Sequence, residues 1–460
     1  MESSLLLNLL IIDPQNDFYL NPYDAIGALP VPGSNIDITN IVKMLNKLNT
    51  TTKIYVSLDT HTRNHIANAS LWKIVNIEDM SEDNKKNFIG KSPPSCTSVA
   101  HELSESKTTD ETAEIKEETD IMVEKWIGTP FAEAVLTEEQ KPLLNKKLVI
   151  EPNFEKIGSL TRDEKVVLTK WFEYYYEAVT NKNGLTLWAD HCIEETRGHD
   201  VVPMLQSKLN DFTNVEYHIK GQNCLTEMFS IMKADVVYDS HEPTIIKKFV
   251  PNERAVLDKY AYTGSVGSGL FKELPRTGTS LIKIPKSYIP DHVYLNTGFN
   301  TELFEKLCEG GRPIVICGEA LTHCVLNSFV DIISELENKN KSNEIWLIAN
   351  ASSPIPGAEQ HAIKKYKANV LNKLGGIKYF IKFKKINDDG ELADVPSFED
   401  FLSISGLQKS TGGKRQTRRV KLFSNHASKR KNKRLIKSKT NKRFKMLFAR
   451  VNKKYTRVKH

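Results

Sequence analysis

The chain has 460 residues, of which 40% are hydrophobic, and this composition excludes a collagen-like, disulfide-stapled or wholly disordered protein. The net charge of +7 hides an uneven distribution. The last 50 residues hold 20 Lys and Arg and no Asp or Glu, so they carry +20, while the first 410 residues carry −13. Six cysteines without framework spacing or a CxxC pair suit a reducing compartment, so we expect an intracellular protein.

The run MESSLLLNLLII contains about eight apolar residues without a preceding basic stretch, and turn-forming DPQNDF follows it directly. We therefore expect a buried strand here and not a signal peptide. No stretch reaches the ~18–20 apolar residues that a membrane helix requires, so the sequence predicts no membrane span.

Four short apolar runs are typical of buried parallel strands: Leu5–Ile12, Lys53–Leu58, Pro313–Cys317 and Glu344–Ala349. Stretches with a helical pattern follow several of them, as at Ile38–Leu48 and Cys324–Leu336. This alternation predicts an α/β fold, a mostly parallel central sheet with helices on both faces. In such sheets, functional side chains gather at the carboxyl ends of the strands.

We expect one elaborated domain over residues 1–405 and a basic, disordered tail over residues 406–460. Two insertions enlarge the domain. The first, at about 72–184, includes an acidic polar stretch at 101–120. The second, at about 241–291, includes a glycine-rich loop at 263–271, whose spacing is not that of a phosphate-binding loop.

Polar side chains directly follow the first two predicted strands. Asp13 comes after the first strand, as either a turn former or a base, and Asp59, His61 and His65 follow the second in LDTHTRNHIA. A D-x-H sequence after a strand places a carboxylate and an imidazole near one point, which suits a divalent metal. Two histidines in a polar loop are also commonly just solvated, so both interpretations stay open.

Two later segments add candidate residues. WADHCIEETRGHD contributes Trp188, His191 and Cys192, and IVICGEALTHCV places Cys324 at the start of a helix. A thiol at that position experiences the helix dipole and unpaired backbone N–H groups, which lower its pKa and can bind an oxyanion. The alternative is a small buried core residue.

Together these motifs resemble those of the isochorismatase-like cysteine hydrolases, and most closely those of the nicotinamidase branch. The motifs are DPQNDF (13–18), DTHTRNH (59–65), LWADHCIEETRGH (187–199), KGQNCLTEMFSIMKADV (220–236), GEALTHCV (318–325) and NASSPIPG (350–357). They stand in the family order across residues 1–390, apart from the two insertions. The resemblance implies the three-layer α/β/α fold of that family.

The resemblance implies an Asp–Lys–Cys triad. Asp13 matches the general base and Cys324 the nucleophile. Lys220 precedes a glycine, as in the family motif, and stands 29 residues after His191. Lys259 stands 68 residues after His191, within the second insertion, and is the competing choice for the triad lysine.

The resemblance also implies an oxyanion hole and a metal site. The backbone N–H groups of Ala320 and Cys324 match the hole, which depends on a cis peptide at Glu319–Ala320. The residues that match metal ligands are Asp59, His61 and His191, with His65 as a fourth ligand or a substrate-side residue. Zn²⁺ is the first expectation, although Fe²⁺ or Mn²⁺ suits the same ligands.

Phe18 and Trp188 match the aromatic positions that sandwich the substrate ring in the family. Five positions depart from the family pattern. Thr60 replaces an aromatic residue, Thr62 replaces a proline, and Asn350 stands where the subgroup generally has Asp. Ile231 and Met232 occupy positions that are often small or aromatic. The pocket could therefore prefer an amide other than nicotinamide.

The implied function is hydrolysis of nicotinamide to nicotinate and ammonia through a Cys thioester. One alternative is a related cysteine amidase or ureide hydrolase without the metal. Isochorismatase activity itself is disfavoured, because that reaction needs no thiol. A third hypothesis makes the body a non-catalytic scaffold and the tail a nucleic-acid-binding module.

The tail is dense in Lys and Arg interleaved with aromatic residues. Such a segment attracts polyanions in a salt-dependent way, and KRKNKR and TNKRFK resemble nuclear-localisation stretches. We therefore predict that residues 414–460 associate with nucleic acid or direct the protein to the nucleus, with the cytoplasm as the alternative location.

Overall fold

A computed structural model describes residues 6–20, 27–76, 148–157, 160–180, 185–239, 243–263, 297–370 and 381–408. The acidic stretch 101–120, the glycine-rich residues 264–271 and the tail from residue 409 lie outside these ranges. Within the ranges, no helix is both long enough and apolar enough to cross a membrane.

A seven-stranded sheet forms the centre of the fold. In chain order the described strands are β1 (Asn8–Ile12), β2 (Lys53–Asp59), β3 (Trp72–Asn76), β4 (Leu148–Pro152), β5 (Asn214–Lys220), β6 (Ile314–Gly318), β7 (Ile345–Ile348), β8 (Ile381–Ile386) and β9 (Leu392–Asp394). The sheet order is β5-β2-β1-β6-β7-β8-β9, and only the β8–β9 pair is antiparallel. The predicted mostly parallel sheet is confirmed. Strands β3 and β4 pair separately as an antiparallel ribbon.

Helices cover both faces of this sheet. The described α-helices are α1 (Ser34–Leu45), α2 (Arg162–Thr180), α3 (Pro203–Leu209), α4 (Pro243–Lys248), α5 (Pro251–Thr263), α6 (Thr301–Cys308), α7 (Cys324–Asn338), α8 (Glu359–Val370) and α9 (Phe398–Ile404). Strand β1 shows why two layers form, because successive side chains of a strand point to opposite faces. Leu10 and Ile12 belong to the apolar cluster with α6, α7, α8 and α9, whereas Leu9 and Ile11 belong to the cluster with α1 and α3.

Three of the described helices lie within the segments predicted to be insertions. We call α2, α4 and α5 the insertion helices. They form a third apolar cluster, rich in aromatic side chains, together with parts of the loops at residues 60–71 and 221–238. Parts of both predicted insertions therefore share a core with loops that follow strands of the central sheet.

The strand order reverses at β1, because β2 and β5 lie on one side of it and β6, β7 and β8 on the other. The loops after β1 and β6 diverge at such a point and leave a crevice at the carboxyl edge of the sheet. Close approach of the two strands requires Gly318, which has φ +111° and whose hypothetical Cβ would lie 2.1 Å from the Ile12 carbonyl oxygen.

Candidate active site

Four chain segments meet in this crevice. Asp13 follows β1, Asp59 ends β2, and Lys220 ends β5 directly opposite Asp59. Cys324 is the first residue of α7, after the turn that follows β6. All four residues are buried. The sheet topology therefore brings together polar residues that are distant in the sequence.

The Lys220 ammonium lies at the centre of this group. Its Nζ is 3.0 Å from Asp13 Oδ2, 2.9 Å from Asp59 Oδ1 and 3.6 Å from Cys324 Sγ. Burial lowers the pKa of a lysine, but here Asp13 and Asp59 outweigh it and raise the pKa of Lys220 well above its usual value. Lys220 therefore stays charged beside the thiol.

The competing lysine lies elsewhere. The Lys259 side chain is 64% exposed and its Nζ forms an ion pair with Glu164 at 2.7 Å. The structure thus brings Lys220, and not Lys259, to Asp13 and Cys324.

Both oxygens of the Asp13 carboxylate have a neighbouring donor. Oδ1 accepts a hydrogen bond of 2.6 Å from the Ser57 hydroxyl, and Oδ2 lies 3.0 Å from the Lys220 ammonium without a well-aligned hydrogen bond. Burial, opposed by Lys220, raises the pKa of Asp13. A buried carboxylate with a raised pKa is a stronger base than one in water.

The Cys324 thiol is buried beside Lys220 and Asp13. Burial raises its pKa well above the usual value, even though Lys220 acts in the opposite direction, and the thiol hydrogen-bonds to Asp13. The expectation that the helix start lowers the pKa of this thiol is therefore wrong, because burial dominates. Thiolate formation requires a base at the moment of attack, and the contact with Asp13 provides one.

The turn between β6 and α7 presents backbone donors beside the thiol. The Glu319–Ala320 peptide bond is cis. Among the described residues, no hydrogen bond uses the backbone N–H of Ala320 or of Cys324. Unpaired N–H groups at a helix start can stabilise a negatively charged oxygen.

Asp59, His61 and His191 form a cluster whose electron pairs converge. His61 Nδ1 lies 3.1 Å from the carbonyl oxygen of Gly221, and His191 Nδ1 lies 2.7 Å from that of Ala189. Carbonyl oxygens only accept, so each Nδ1 carries a hydrogen, and a ring in its neutral form presents its lone pair at Nε2. Both Nε2 atoms face Asp59 Oδ2, at 3.1 and 3.3 Å.

Three electron-pair donors facing one another require a positive charge between them, and their ligand atoms lie within 4.8 Å of one another. Burial raises the pKa of a carboxyl group, yet His61 and Lys220 hold the pKa of Asp59 well below its usual range. Against burial, Asp59 raises the pKa of His61 to about 9. The cluster therefore attracts cations, and its donor set with oriented imidazoles fits a divalent metal.

His65 lies beside this cluster without an available lone pair. Its Nε2 donates to the Thr226 carbonyl oxygen at 2.9 Å, and its Nδ1 accepts from the Ala67 N–H at 3.2 Å. Burial and His61 hold the pKa of His65 well below its usual value. In this arrangement His65 packs against the ring of His61, with centroids 4.1 Å apart, and both of its ring nitrogens are bonded to backbone.

The sequence analysis gave no role to Glu227, which is buried close to His61 and His65. Its Oε1 accepts from the Met228 N–H at 2.8 Å. Glu227 stands seven residues after Lys220 in KGQNCLTE, so its position in that motif is the signal that could have identified it.

Aromatic side chains stand next to the thiol and the imidazoles. The Phe18 ring contacts His191 at a centroid distance of 5.4 Å, and the Trp188 ring contacts His323 at 5.2 Å. Phe229, which the motifs did not single out, lies 5.4 Å from His323. The two residues expected to sandwich a substrate ring are thus buried in one apolar cluster with Cys324.

Three of the departures from the family pattern have local partners. Thr60 Oγ1 lies 2.7 Å from His199 Nε2, and Thr62 Oγ1 lies 2.9 Å from Cys224 Sγ. Asn350 donates to the Ile386 carbonyl oxygen and accepts from the Ile386 N–H, a pairing that an Asp carboxylate cannot make. None of the three replaces a member of the buried polar cluster.

The described residues therefore define an α/β protein. The crevice of its sheet holds a thiol, an ion-paired lysine and the cluster of Asp59, His61 and His191, which we call the metal-type cluster. No protein-family model and no curated protein matches the chain. Similar solved structures include a nicotinamidase/pyrazinamidase from Acinetobacter baumannii (12% identity, TM-score 0.34, 83% of this chain and 98% of that one). They also include the yeast nicotinamidase (14%, 0.35, 82% and 99%) and a nicotinamidase/pyrazinamidase from Bacillus subtilis (12%, 0.30, 82% and 99%). Likeness at these values carries no conclusion about function.

Proposed function

We propose that the protein is a metal-assisted cysteine amidohydrolase whose substrate is a small aromatic amide, with nicotinamide as the first choice. The observation that carries this proposal is the position of Lys220 Nζ, 3.0 Å from Asp13, 2.9 Å from Asp59 and 3.6 Å from Cys324. One ammonium joins a thiol, its base and the carboxylate of a metal-type cluster. The motif resemblance to isochorismatase-like cysteine hydrolases supports the same proposal.

The residues divide the reaction between them. Asp13 takes the thiol proton as Cys324 Sγ forms a bond to the amide carbon, and the carbonyl electron pair moves onto oxygen. The N–H groups of Ala320 and Cys324 stabilise that oxygen. When the tetrahedral intermediate collapses, the C–N bond breaks and Asp13 returns the proton to the departing ammonia.

Water completes the cycle. It attacks the thioester carbon while Asp13 accepts its proton, and the proton then passes to the departing Cys324 sulfur. The net reaction is amide plus water to carboxylic acid plus ammonia. Lys220 keeps the nearby carboxylates paired and lowers the energy of the thiolate through its positive charge.

Asp59, His61 and His191 would hold the metal, with Zn²⁺ as the first choice. The ion, when bound, supplies a Lewis-acid contact for the ring nitrogen of a pyridine carboxamide. Phe18 and Trp188 would pack against the ring and exclude water from it.

The test is ammonia release from nicotinamide, pyrazinamide, benzamide and aliphatic amides, with and without a chelator. We expect pyridine and pyrazine amides to be preferred and the chelator to abolish turnover. Release that survives chelation would favour the metal-free amidase. In Cys324→Ala, we expect circular dichroism and metal content to stay unchanged and turnover to disappear, and unchanged release would contradict the mechanism.

The charge of the last 50 residues favours a second, separate function. We propose that residues 414–460 bind nucleic acid or direct the protein to the nucleus, because this stretch holds 20 Lys and Arg and no acidic residue. A chain that ends at residue 410 should lose salt-dependent binding to DNA and RNA while it keeps its amidase activity. Binding that survives this truncation would contradict the proposal.

A further inference from the structure

The insertion helices contact the loops of the candidate site through side chains that bond to backbone. The helices themselves form one unit: Lys170 of α2 pairs with Glu253 of α5 at 2.8 Å, and the rings of Trp171 and Phe249 lie 5.7 Å apart. Their shared core also includes Ile66, from the loop that carries His61. The insertion helices therefore pack directly against the loop that carries His61.

Side chains of this unit form hydrogen bonds with the backbone of both loops. The Tyr260 hydroxyl donates to the Asn64 carbonyl oxygen at 2.7 Å. The Trp171 indole N–H donates to the Leu225 carbonyl oxygen at 2.8 Å. The Tyr175 hydroxyl accepts from the Glu227 backbone N–H at 3.1 Å.

Each of these bonds is well placed to influence the metal-type cluster. The first loop contains His61, and Asn64 lies three residues beyond it. The second loop contains Gly221, whose carbonyl oxygen holds His61 Nδ1 at 3.1 Å. The loops are also joined to each other, by the Ile66 N–H to the Cys224 carbonyl oxygen at 3.0 Å. The insertion helices thus hold in place the two loops whose backbone orients the His61 ring.

We propose that the insertion helices serve to position the metal ligands, and that Tyr260 and Tyr175 are positioning residues for His61. This inference rests on the proposed function, because it requires that Asp59, His61 and His191 bind a divalent metal. Tyr260 and Tyr175 are buried. Loss of either hydroxyl leaves a backbone group without its partner, and the loop moves to find another. Metal affinity is sensitive to such movement, because ligands must converge within a few tenths of an ångström.

The test uses the full-length protein and the metal alone as probe. Zn²⁺ affinity is measured by competition with a chromophoric chelator, and the absorption spectrum of the Co²⁺-loaded protein reports ligand geometry. For Tyr260→Phe and Tyr175→Phe we expect Zn²⁺ affinity to fall by about tenfold, the lower end of the range for groups that orient metal ligands, and the Co²⁺ bands to shift.

Tyr238→Phe is the matched control. Tyr238 is the last residue of the second loop, and its hydroxyl bonds to the Asp258 side chain of α5 at 2.7 Å, so its loss leaves every backbone group near His61 and Gly221 with its partner. We expect this variant to lower Tm by a similar amount while it leaves Zn²⁺ affinity and the Co²⁺ spectrum unchanged.

Two outcomes overturn the inference, and they are distinguishable. If the wild type binds Zn²⁺ and all three variants bind it equally well, the insertion helices are merely structural and the proposed function stands. If the wild type binds no Zn²⁺, the metal-assisted function and this inference fail together.

Discussion

The buried charge of Lys220 connects several residues of the candidate site. Its ammonium contacts carboxylates from β1 and β2 and the thiol at the start of α7. We expect Lys220→Met to leave two buried carboxylates without their partner, which should lower the free energy of unfolding by about 3–5 kcal/mol. We also expect kcat/KM for ammonia release to fall by about 10²–10³-fold, as for the loss of one group that stabilises developing charge. Urea denaturation and initial rates measure the two effects.

The matched control is Lys259→Met, at the lysine that competed with Lys220 in the sequence. Its side chain is 64% exposed and pairs with Glu164, away from Asp13. We expect its free energy of unfolding to change by no more than about 0.5 kcal/mol, with unchanged turnover. A larger effect of Lys259→Met than of Lys220→Met would reverse the choice of lysine.

Gly221 leaves no room for a Cβ atom beside two members of the metal-type cluster. Its φ is +80°, and a Cβ there would lie 2.9 Å from both Asp59 Oδ1 and His61 Cε1. We expect Gly221→Ala to weaken Zn²⁺ binding by at least about tenfold, besides a backbone cost of about 1–2 kcal/mol. The control is Gly311→Ala, at φ +63° with no heavy atom within 4 Å of the added Cβ. It should lose stability only, and equal loss of Zn²⁺ affinity in both variants would contradict the prediction.

At the scale of elements, a pair of buried acids connects helix α1 to the turn that precedes Cys324. Burial and the neighbouring Asp37 raise the pKa of Glu319 well above its usual value. Burial raises the pKa of Asp37 to about 6, against the hydrogen bonds from Ser353 and Glu319. The pair of acids therefore connects α1 to the turn.

This pair predicts a pH dependence of stability. Between the unfolded value of 3.8 and the folded value of about 6, the folded state holds more protons at Asp37 than the unfolded state does. Stability from this group is therefore present at low pH and lost as pH rises through that window, by up to about 3 kcal/mol. In Asp37→Asn, we expect the fall in free energy of unfolding from pH 4 to pH 6 to be smaller than in the wild type.

Urea midpoints at several pH values measure this difference. Asp211→Asn is the control, because the Asp211 side chain is 57% exposed and pairs with Lys208 at the surface. Its stability profile should parallel that of the wild type. If Asp37→Asn also parallels the wild type, protonation of Asp37 does not contribute to the pH dependence of stability.

The strands differ in how clearly the sequence predicts them. Strands β1, β2, β6 and β7 are continuous apolar runs because both of their faces are buried, and all four were predicted. β5 was missed because it is an edge strand whose first residues are partly exposed, and so NVEYHIK has no apolar run. β8 was missed because IKFKKI is rich in lysines, two of which lie over the Trp346 ring.

The candidate site was predictable where residue types stand in ordered motifs directly after strands. Asp13, Asp59 and Cys324 are of this kind, and the structure brings them together. The features that could not be predicted depend on contacts between residues that are distant in the sequence. The tyrosine hydroxyls of the insertion helices and the state of the Cys324 thiol belong to this second class, because burial, and not sequence neighbours, decides them.

At the scale of the whole molecule, the metal-type cluster joins widely separated parts of the chain, because Asp59 and His61 follow β2 whereas His191 lies beyond the first insertion. A ligand that binds only the folded state at 100 times its Kd adds about 2.7 kcal/mol to the free energy of unfolding. We therefore expect saturating Zn²⁺ to raise the Tm of the chelator-treated protein by a few degrees.

His191→Ala should remove this Zn²⁺-dependent shift. The control is His218→Ala, which removes another buried imidazole, one that pairs with Glu216 within β5. This variant should lose some stability but keep the shift in Tm on addition of Zn²⁺. A shift that persists in His191→Ala would place the metal elsewhere.

The pairing of β1 with β6 also determines when the central sheet can be completed during synthesis of the chain. β1 begins at residue 8, and one of its two sheet neighbours begins at residue 314. During synthesis, one edge of β1 therefore waits without its partner while most of the domain is translated, and contacts of such long sequence separation form slowly. Asp13, Asp59 and Lys220 emerge from the ribosome well before Cys324. Cys324, the proposed nucleophile, is synthesised last of the four, so the proposed site cannot form in a partly synthesised chain.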